Sequence, residues 1–357
     1  MLFPYHFVPN HSIYTFQEWM DDLFLNVWCK ADIAVDYEID LLSDDLKAIV
    51  QEIADDPRIT TDYLYGPIKT VYEIFQGFDQ PVKNRLAEAY RHNNSIEDLC
   101  KQVNGCNPFL YSDLTAVHED LSKALKIFCK YLFTNVIGLK AVTDKIGEID
   151  SHYDEFVTLN DEGKCPFCGI NSIKGRHLSK RDAYDHFLPK GIYPFNSINF
   201  KNLSPMCYDC NSSYKNAKDL LHNNAVRRNA LYPFDNAANP NIQISITLSK
   251  PDIKDLIPAD ITLTLTSAGQ QAEVDAWMDV FRIEERYVAK CLEKNDGYAW
   301  YVQSLEGHLN ASNELGVTID KDKWVQMQIN DAKRSPLTGG NFIKAEYLEA
   351  CKKVGAL

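Results

Sequence analysis

Two short cysteine pairs, Cys165-Pro-Phe-Cys168 and Cys207-Tyr-Asp-Cys210, carry the first chemical signal in this sequence. Thiolates two residues apart can grip one ion from a tight turn. Two such pairs complete a tetrahedral four-sulfur zinc site with no open position. Pro166 and Gly169 suit the bend of such a knuckle. With every position filled by protein, this zinc is expected to be structural, holding a segment too small to bury a core of its own. Between the pairs lies an insert of a different character. Ala183-Tyr-Asp-His-Phe-Leu188 reads as a short strand ended by Pro189, and residues 191–199 as a loop. Phe200 to Pro205 can return as a second strand, and Tyr208 to Asp219 reads as a helix. On that helix Asn211 and Lys215 fall at i and i+4, on one face. A hairpin followed by a helix can bring Asp185, His186 and Asn211 to one point.

The ordered set Asp185-His186, Asn202-Leu203 and Cys207-x-x-Cys210-Asn211-x-x-x-Lys215 resembles the HNH motif of the His-Me finger (ββα-metal) endonucleases. The flanking cysteine pairs resemble the zinc-bearing branch of that family. The resemblance implies a one-metal phosphodiesterase. His186 would be the general base that takes a proton from the attacking water, a role suited to a neutral imidazole near pH 7. Asp185 and Asn211 would ligate a hard divalent cation, Mg²⁺ or Mn²⁺. Asn202 would brace the hairpin and orient His186. Lys215 would touch a phosphate oxygen as a point charge. Two departures weaken metal binding relative to the family pattern. Asn211 stands where many members carry His, and Lys215 stands where colicin-type relatives place a further metal-binding His. More widely, Tyr184 to Lys190, Asn202 to Cys207 and Trp277 to Tyr287 are similar to HNH proteins of bacterial anti-phage defence islands, such as the nuclease component of Septu-type systems. Those proteins pair with an ATPase, so an ATPase or other regulatory protein partner is expected here.

Charge supports a phosphate-bearing partner for the module alone. Residues 164–228 hold eleven Lys and Arg against four Asp and no Glu, a local +7. The whole chain carries −13, which leaves −20 for the rest. A basic island in an acidic body suits local phosphate contact. The candidate contacts are Lys174, Arg176, Lys180, Arg181, Lys190, Lys215 and Lys218; His222, Arg227 and Arg228 read as surface. DNA is the expected substrate. RNA stays open, because such a site handles phosphate rather than base identity.

The elements that must position this module are mostly helical. Thr15-Phe-Gln-Glu18 has the form of a capping box, with Phe16, Trp19, Leu23 and Val27 at helical spacing. Ser43 and Ser95 precede further segments, and one long helix is expected from near Ser112 through Leu132. Beyond the module, Pro233, Pro240 and Pro251 with 236–241 read as a turn-rich connector. Ile242 to Leu248 and Ile261 to Leu265 alternate apolar and polar residues and can pair as a hairpin. Helices resume near Gln271. The six single cysteines (Cys29, Cys100, Cys106, Cys129, Cys291, Cys351) read as small buried hydrophobes.

The expected fold is mainly α, with a small ββα-metal zinc module and a short β-hairpin, α+β overall. The expected domains are a helical 1–155, an HNH module at 156–235, and a hairpin with helices at 236–357. No apolar run is long enough for a membrane span and no signal-peptide pattern opens the chain, so a cytoplasmic protein without a membrane partner is expected. Two competing functions remain: a catalytically silent zinc module used for binding, and an RNase or tRNA nuclease on the same site.

Overall fold

Helices carry most of the chain, as expected for a mainly helical α+β protein, and among the described residues strands occur only in antiparallel pairs. The computed structural model describes residues 1–224, 226–235 and 240–357. The N-terminal helices are α1 (Thr15–Asp22), α2 (Asp44–Asp55), α3 (Tyr65–Gln76), α4 (Gln80–Asn94) and α5 (Ile96–Lys101). They continue with α6 (Tyr111–Val117), α7 (Glu119–Thr134), α8 (Lys140–Ile146) and α9 (Ile149–Leu159). Then come β1 (Tyr184–His186), β2 (Leu203–Pro205) and a π-type helical segment, Asp209–Lys215. Two-residue strands β3 (His222–Asn223) and β4 (Val226–Arg227) follow, then β5 (Gln243–Leu248) and β6 (Ile261–Thr266). The chain ends in α10 (Gln271–Phe281), α11 (Ile283–Leu292), α12 (Ala299–Leu315), α13 (Lys321–Arg334) and α14 (Asn341–Lys353). No helix among the described residues is long and apolar enough to cross a membrane.

Two local expectations fail for identifiable reasons. Thr15 is the first helical residue rather than a cap: a 3₁₀ turn, Ser12–Tyr14, precedes it, and His11 Nδ1 accepts from Ile13 N at 3.1 Å. The long helix from Ser112 is two helices. His118 is extended (φ −162°, ψ 116°), and its imidazole accepts from Leu121 N at 3.2 Å, capping α7. An extended residue that caps the next helix breaks the apolar period without removing it. Of the expected connector, residues 236–239 lie outside the described residues.

Tertiary contacts divide the chain into two compact units. The first, Pro4–Gly163 with Ile173–Ala237, has an aromatic core. Phe24 stacks on Tyr90 at 4.3 Å, and Trp28 meets Phe128 at 5.3 Å. Trp28 satisfies its indole N–H on Ile68 O at 3.1 Å, as a buried indole must. This core also holds Phe195, 4.9 Å from Phe24, in a left-handed backbone conformation (φ 82°) that a bulky residue adopts only when its surroundings enforce it. The second unit, Met1–Phe3 with Lys164–Ser172 and Ala238–Leu357, is built on the β5–β6 hairpin and helices including α11 and α14. Its buried centre includes Trp277, Tyr287 and Tyr347.

Candidate functional site

The insert folds as a minimal hairpin. β1 pairs with β2 in the register Tyr184↔Pro205, Asp185↔Ser204 and His186↔Leu203. All six residues are buried, so two faces of packing, rather than period-two alternation, hold these strands. Regular pairing is shorter than the expected 183–188 and 200–205. Side chains supply what the ladder lacks. Asn202, with no exposed surface, accepts from Leu188 N at 2.8 Å and donates to Leu188 O at 3.0 Å. One amide thereby closes both backbone groups of the residue that leaves the hairpin. The loop beyond is fixed from the helical side: Asn93 Nδ2 donates to Pro194 O at 3.1 Å, and Asn196 Nδ2 donates to Asn93 O at 3.2 Å.

That loop sets the imidazole. His186 Nε2 lies 2.8 Å from Ser197 O. A carbonyl only accepts, so Nε2 carries the hydrogen and Nδ1 keeps the lone pair. Burial pushes the His186 pKa down to about 3, with the positive charge of Lys190 adding to the effect, so the ring is neutral over the physiological range. The Phe133 ring stands against the imidazole, T-shaped, at 4.4 Å and 71°.

The following helix is not an α-helix. Asp209–Lys215 winds as a π-type segment, with Asn216 N donating to Asn211 O at 2.8 Å, and Asn216 ends it at φ 46°. Lys215 also corrects the sequence expectation of an outward phosphate contact. It is fully buried; its ammonium donates to His186 O at 2.8 Å and sits 2.7 Å from Asp185 Oδ2. The lysine bolts the helical segment to β1. Burial pushes the Asp185 carboxyl above its ordinary range, against the pull of the Lys215 ammonium. The ion pair at 2.7 Å balances the buried carboxylate charge. Asp185 and the half-buried Asn211 offer hard oxygen donors, a donor type that fits a Mg²⁺-class ion.

The four cysteines Cys165, Cys168, Cys207 and Cys210 are buried, and their sulfurs all lie within 4.8 Å of one another. A tetrahedral site with Zn–S about 2.3 Å has sulfurs about 3.8 Å apart, which lies within that limit. The cluster could hold a metal such as zinc. The first knuckle shows why its residues were legible: Gly169 takes φ 67°, its N–H donates to Cys165 O at 2.7 Å, and Asn171 N points to Cys168 Sγ at 3.5 Å. Among the described residues, no second gathering of three or more His, Cys, Asp or Glu groups is arranged to hold a metal. The six single cysteines are buried, as expected.

The other expected phosphate contacts scatter. Arg176, Lys180 and Lys218 are exposed. Arg181 is tied by its Nε to Asp150, and Lys174 lies 3.9 Å from Asp182. Arg228, read from the sequence as surface and not as a phosphate contact, is turned inward, donating to Asp219 O at 2.8 Å and Leu220 O at 2.9 Å. Lys190 is half-buried, its ammonium 4.6 Å from the centre of the Phe133 ring. Phe133, Ser197 and Asn93 were not found by sequence reasoning. Ser197 acts through its backbone, and Phe133 and Asn93 lie far away in sequence inside ordinary amphipathic helices.

No protein-family model matches the chain, and no solved structure matches it. Over 82 residues the chain is 37% identical to "Protein ea31" of Escherichia phage lambda. The match covers 22% of this chain and 25% of that protein, so the chain spans about a quarter of the relative's length.

Proposed function

We propose that this chain is a metal-dependent endonuclease of the HNH type that hydrolyses phosphodiester bonds in DNA. The observation that supports it most is the hairpin-plus-helix arrangement around a neutral, oriented imidazole. Asp185 and His186 are adjacent on β1, Ser197 O fixes the ring, and Lys215 docks the Asn211-bearing segment onto the same strand.

In this reading His186 Nδ1 takes the proton of the attacking water. Its partner at Ser197 O keeps the tautomer and ring angle constant, which removes the entropy of orienting the base. Asn202 acts at one remove, as a positioning residue. By closing Leu188 and reaching toward Asn196 O at 3.5 Å, it holds the loop that supplies Ser197. Lys215 neutralises the buried Asp185 carboxylate and fixes its place. Phe133 and the surrounding burial keep bulk water from the back of the imidazole. A divalent ion of the Mg²⁺ or Mn²⁺ class, held by Asp185 and Asn211, would supply positive charge to the scissile phosphate and the leaving oxygen. Zinc on the four cysteines would be structural. The acidic helical remainder suits a protein partner, such as the ATPase of an anti-phage defence system, with this chain as its effector in the cytoplasm.

A second reading is a zinc module kept for binding, and the Lys215–Asp185 pair favours it, because a tethered ammonium already satisfies the carboxylate. Plasmid cleavage separates the two. With purified protein, Mg²⁺ or Mn²⁺ should support cleavage, and both EDTA and His186→Ala should remove it. Turnover that survives His186→Ala would defeat the assignment of the base. An RNA substrate in place of DNA would move the reading to an RNase without moving the site.

A further inference from the structure

We propose that α7 is the track along which a nucleic-acid backbone reaches the candidate site, with Lys126 and Lys130 as its phosphate contacts and Lys190 as the last contact before His186. This rests on the endonuclease reading above and names the surface through which that site takes its substrate.

The placement follows from helix geometry. At 3.6 residues per turn, positions 126, 130 and 133 of α7 fall within about 60° of one another. Phe133 fixes where that face points. Its ring lies 4.4 Å from the His186 ring and 4.6 Å from the Lys190 ammonium. Lys130 and Lys126, one and two turns back, therefore continue the same face away from the site. Both are exposed, and their turns are about 6 Å apart along the axis, close to two nucleotide steps of one strand.

The charge pattern is the second observation. From Leu121 to Thr134 the helix carries Lys123, Lys126 and Lys130 and no carboxylate, in a chain of net charge −13. Like charges four apart on a helix repel. Lys123 is balanced by Glu119 Oε1 at 2.7 Å and Asp120 Oδ1 at 3.6 Å. Among the described residues Lys126 and Lys130 have no carboxylate partner; Lys126 rests 5.6 Å from the Tyr111 ring centre. Burial lowers the Lys190 pKa and Lys130 lowers it further, so the two cations feel each other. Uncompensated positive charge is thus concentrated on one helix face that leads to the imidazole. A polyanion of regular spacing would relieve it.

The test is binding without turnover, in the full-length His186→Ala chain, read by fluorescence anisotropy with a labelled DNA duplex, a single DNA strand and an RNA hairpin between 50 and 200 mM salt. For the duplex, Lys126→Ala/Lys130→Ala should weaken affinity on the order of tenfold and reduce the slope of log K against log salt by about 1.8. Lys123→Ala, whose charge is already balanced, should leave the slope in place. Whichever probe shows the loss identifies the nucleic acid. An unchanged slope and affinity in the double variant would overturn the track, and so would failure of the parent to bind any of the three probes at 50 mM salt. The two readings fail separately. Metal-dependent cleavage by wild type with an unchanged slope removes the track alone. A reduced slope in a chain whose wild type cleaves nothing removes the nuclease alone.

Discussion

Two of the molecule's hairpins are built on opposite principles. β5–β6 is six residues long in each strand, paired without interruption from Gln243↔Thr266 to Leu248↔Ile261. Its second strand alternates buried and exposed along its whole length, with Ile261, Leu263 and Leu265 inward and Thr262, Thr264 and Thr266 outward. An apolar face packed on helices is enough to hold it. β1–β2 is half as long and buried on both faces, and it is held by Asn202, Lys215 and a loop clamped by Asn93. The first hairpin is stabilised by area, the second by individually placed polar groups. A scaffold needs only the former. A site that must hold one imidazole nitrogen and one carboxylate in place needs the latter.

The largest effect expected from this contrast concerns metal. If zinc closes the four-cysteine cluster, Cys207→Ser should abolish near-stoichiometric zinc in elemental analysis and unfold the segment around β1–β2. Structural zinc in small modules contributes about 10 kcal/mol or more of apparent folding free energy. Hydrogen exchange should show protection lost at 184–205 and retained at 243–266. Equal loss in both hairpins would mean that they do not stand on separate supports.

Next in size is the imidazole. His186→Ala should lower cleavage per folded molecule by about 10²- to 10⁴-fold, the usual worth of a general base, while the stranded Ser197 carbonyl costs only about 1–3 kcal/mol of stability. Leu263→Ala, in the other hairpin, should do the reverse: about 2–5 kcal/mol of stability lost, and unchanged cleavage per folded molecule. A Leu263→Ala chain that stays folded but inactive would break the division of labour.

Lys215 separates an outward phosphate contact from an inward bolt. Lys215→Met leaves the Asp185 carboxylate buried without its partner and should cost about 3–5 kcal/mol in denaturant unfolding. Adding Asp185→Asn removes the stranded charge and should recover a large part of that loss. A Lys215→Met chain as stable as wild type, with weaker nucleic-acid binding, would return Lys215 to the role its sequence position suggested.

The same contrast explains what the sequence revealed. β5–β6 was readable because alternation over six residues is a repeated signal, and each position restates it. The cysteine cluster was readable because two residue spacings suffice to describe a knuckle. Asp185, His186 and Asn202 were readable only as an ordered motif, since strands of three residues buried on both faces carry no period. Lys215 was named and its direction missed. Counting i and i+4 places it beside Asn211, but no count shows whether the ammonium faces water or turns back onto the preceding strand. The π-type winding of Asp209–Lys215 was equally hidden, because one wide turn leaves no trace in spacing. Phe133 and Lys130 were hidden for a further reason: inside an amphipathic helix they look like any half-buried aromatic and any solvated lysine until the fold brings Phe133 against His186 and Lys130 within reach of Lys190.

The smallest expected effect compares one polar residue from each hairpin. Thr264 lies on the exposed face of β6, opposite Ser245. Thr264→Ala removes a side chain that water replaces at once and should change stability by no more than about 0.5 kcal/mol. Asn202→Ala removes the acceptor for Leu188 N and the donor for Leu188 O from a place with no exposed surface. Each stranded backbone group costs about 1–3 kcal/mol where water cannot reach it. The loop carrying Ser197 should loosen as well, and with it the orientation of His186. Cleavage by Asn202→Ala should therefore fall further than its stability loss accounts for, when compared at a temperature where both chains are fully folded. Asn202→Asp keeps the acceptor for Leu188 N but offers a carboxylate to Leu188 O. It should be no better than alanine, because a buried negative charge beside a carbonyl oxygen is worse than a missing bond. If Asn202→Ala were as mild as Thr264→Ala, the β1–β2 hairpin would be held by packing area after all, and the distinction between the two hairpins would be one of length alone.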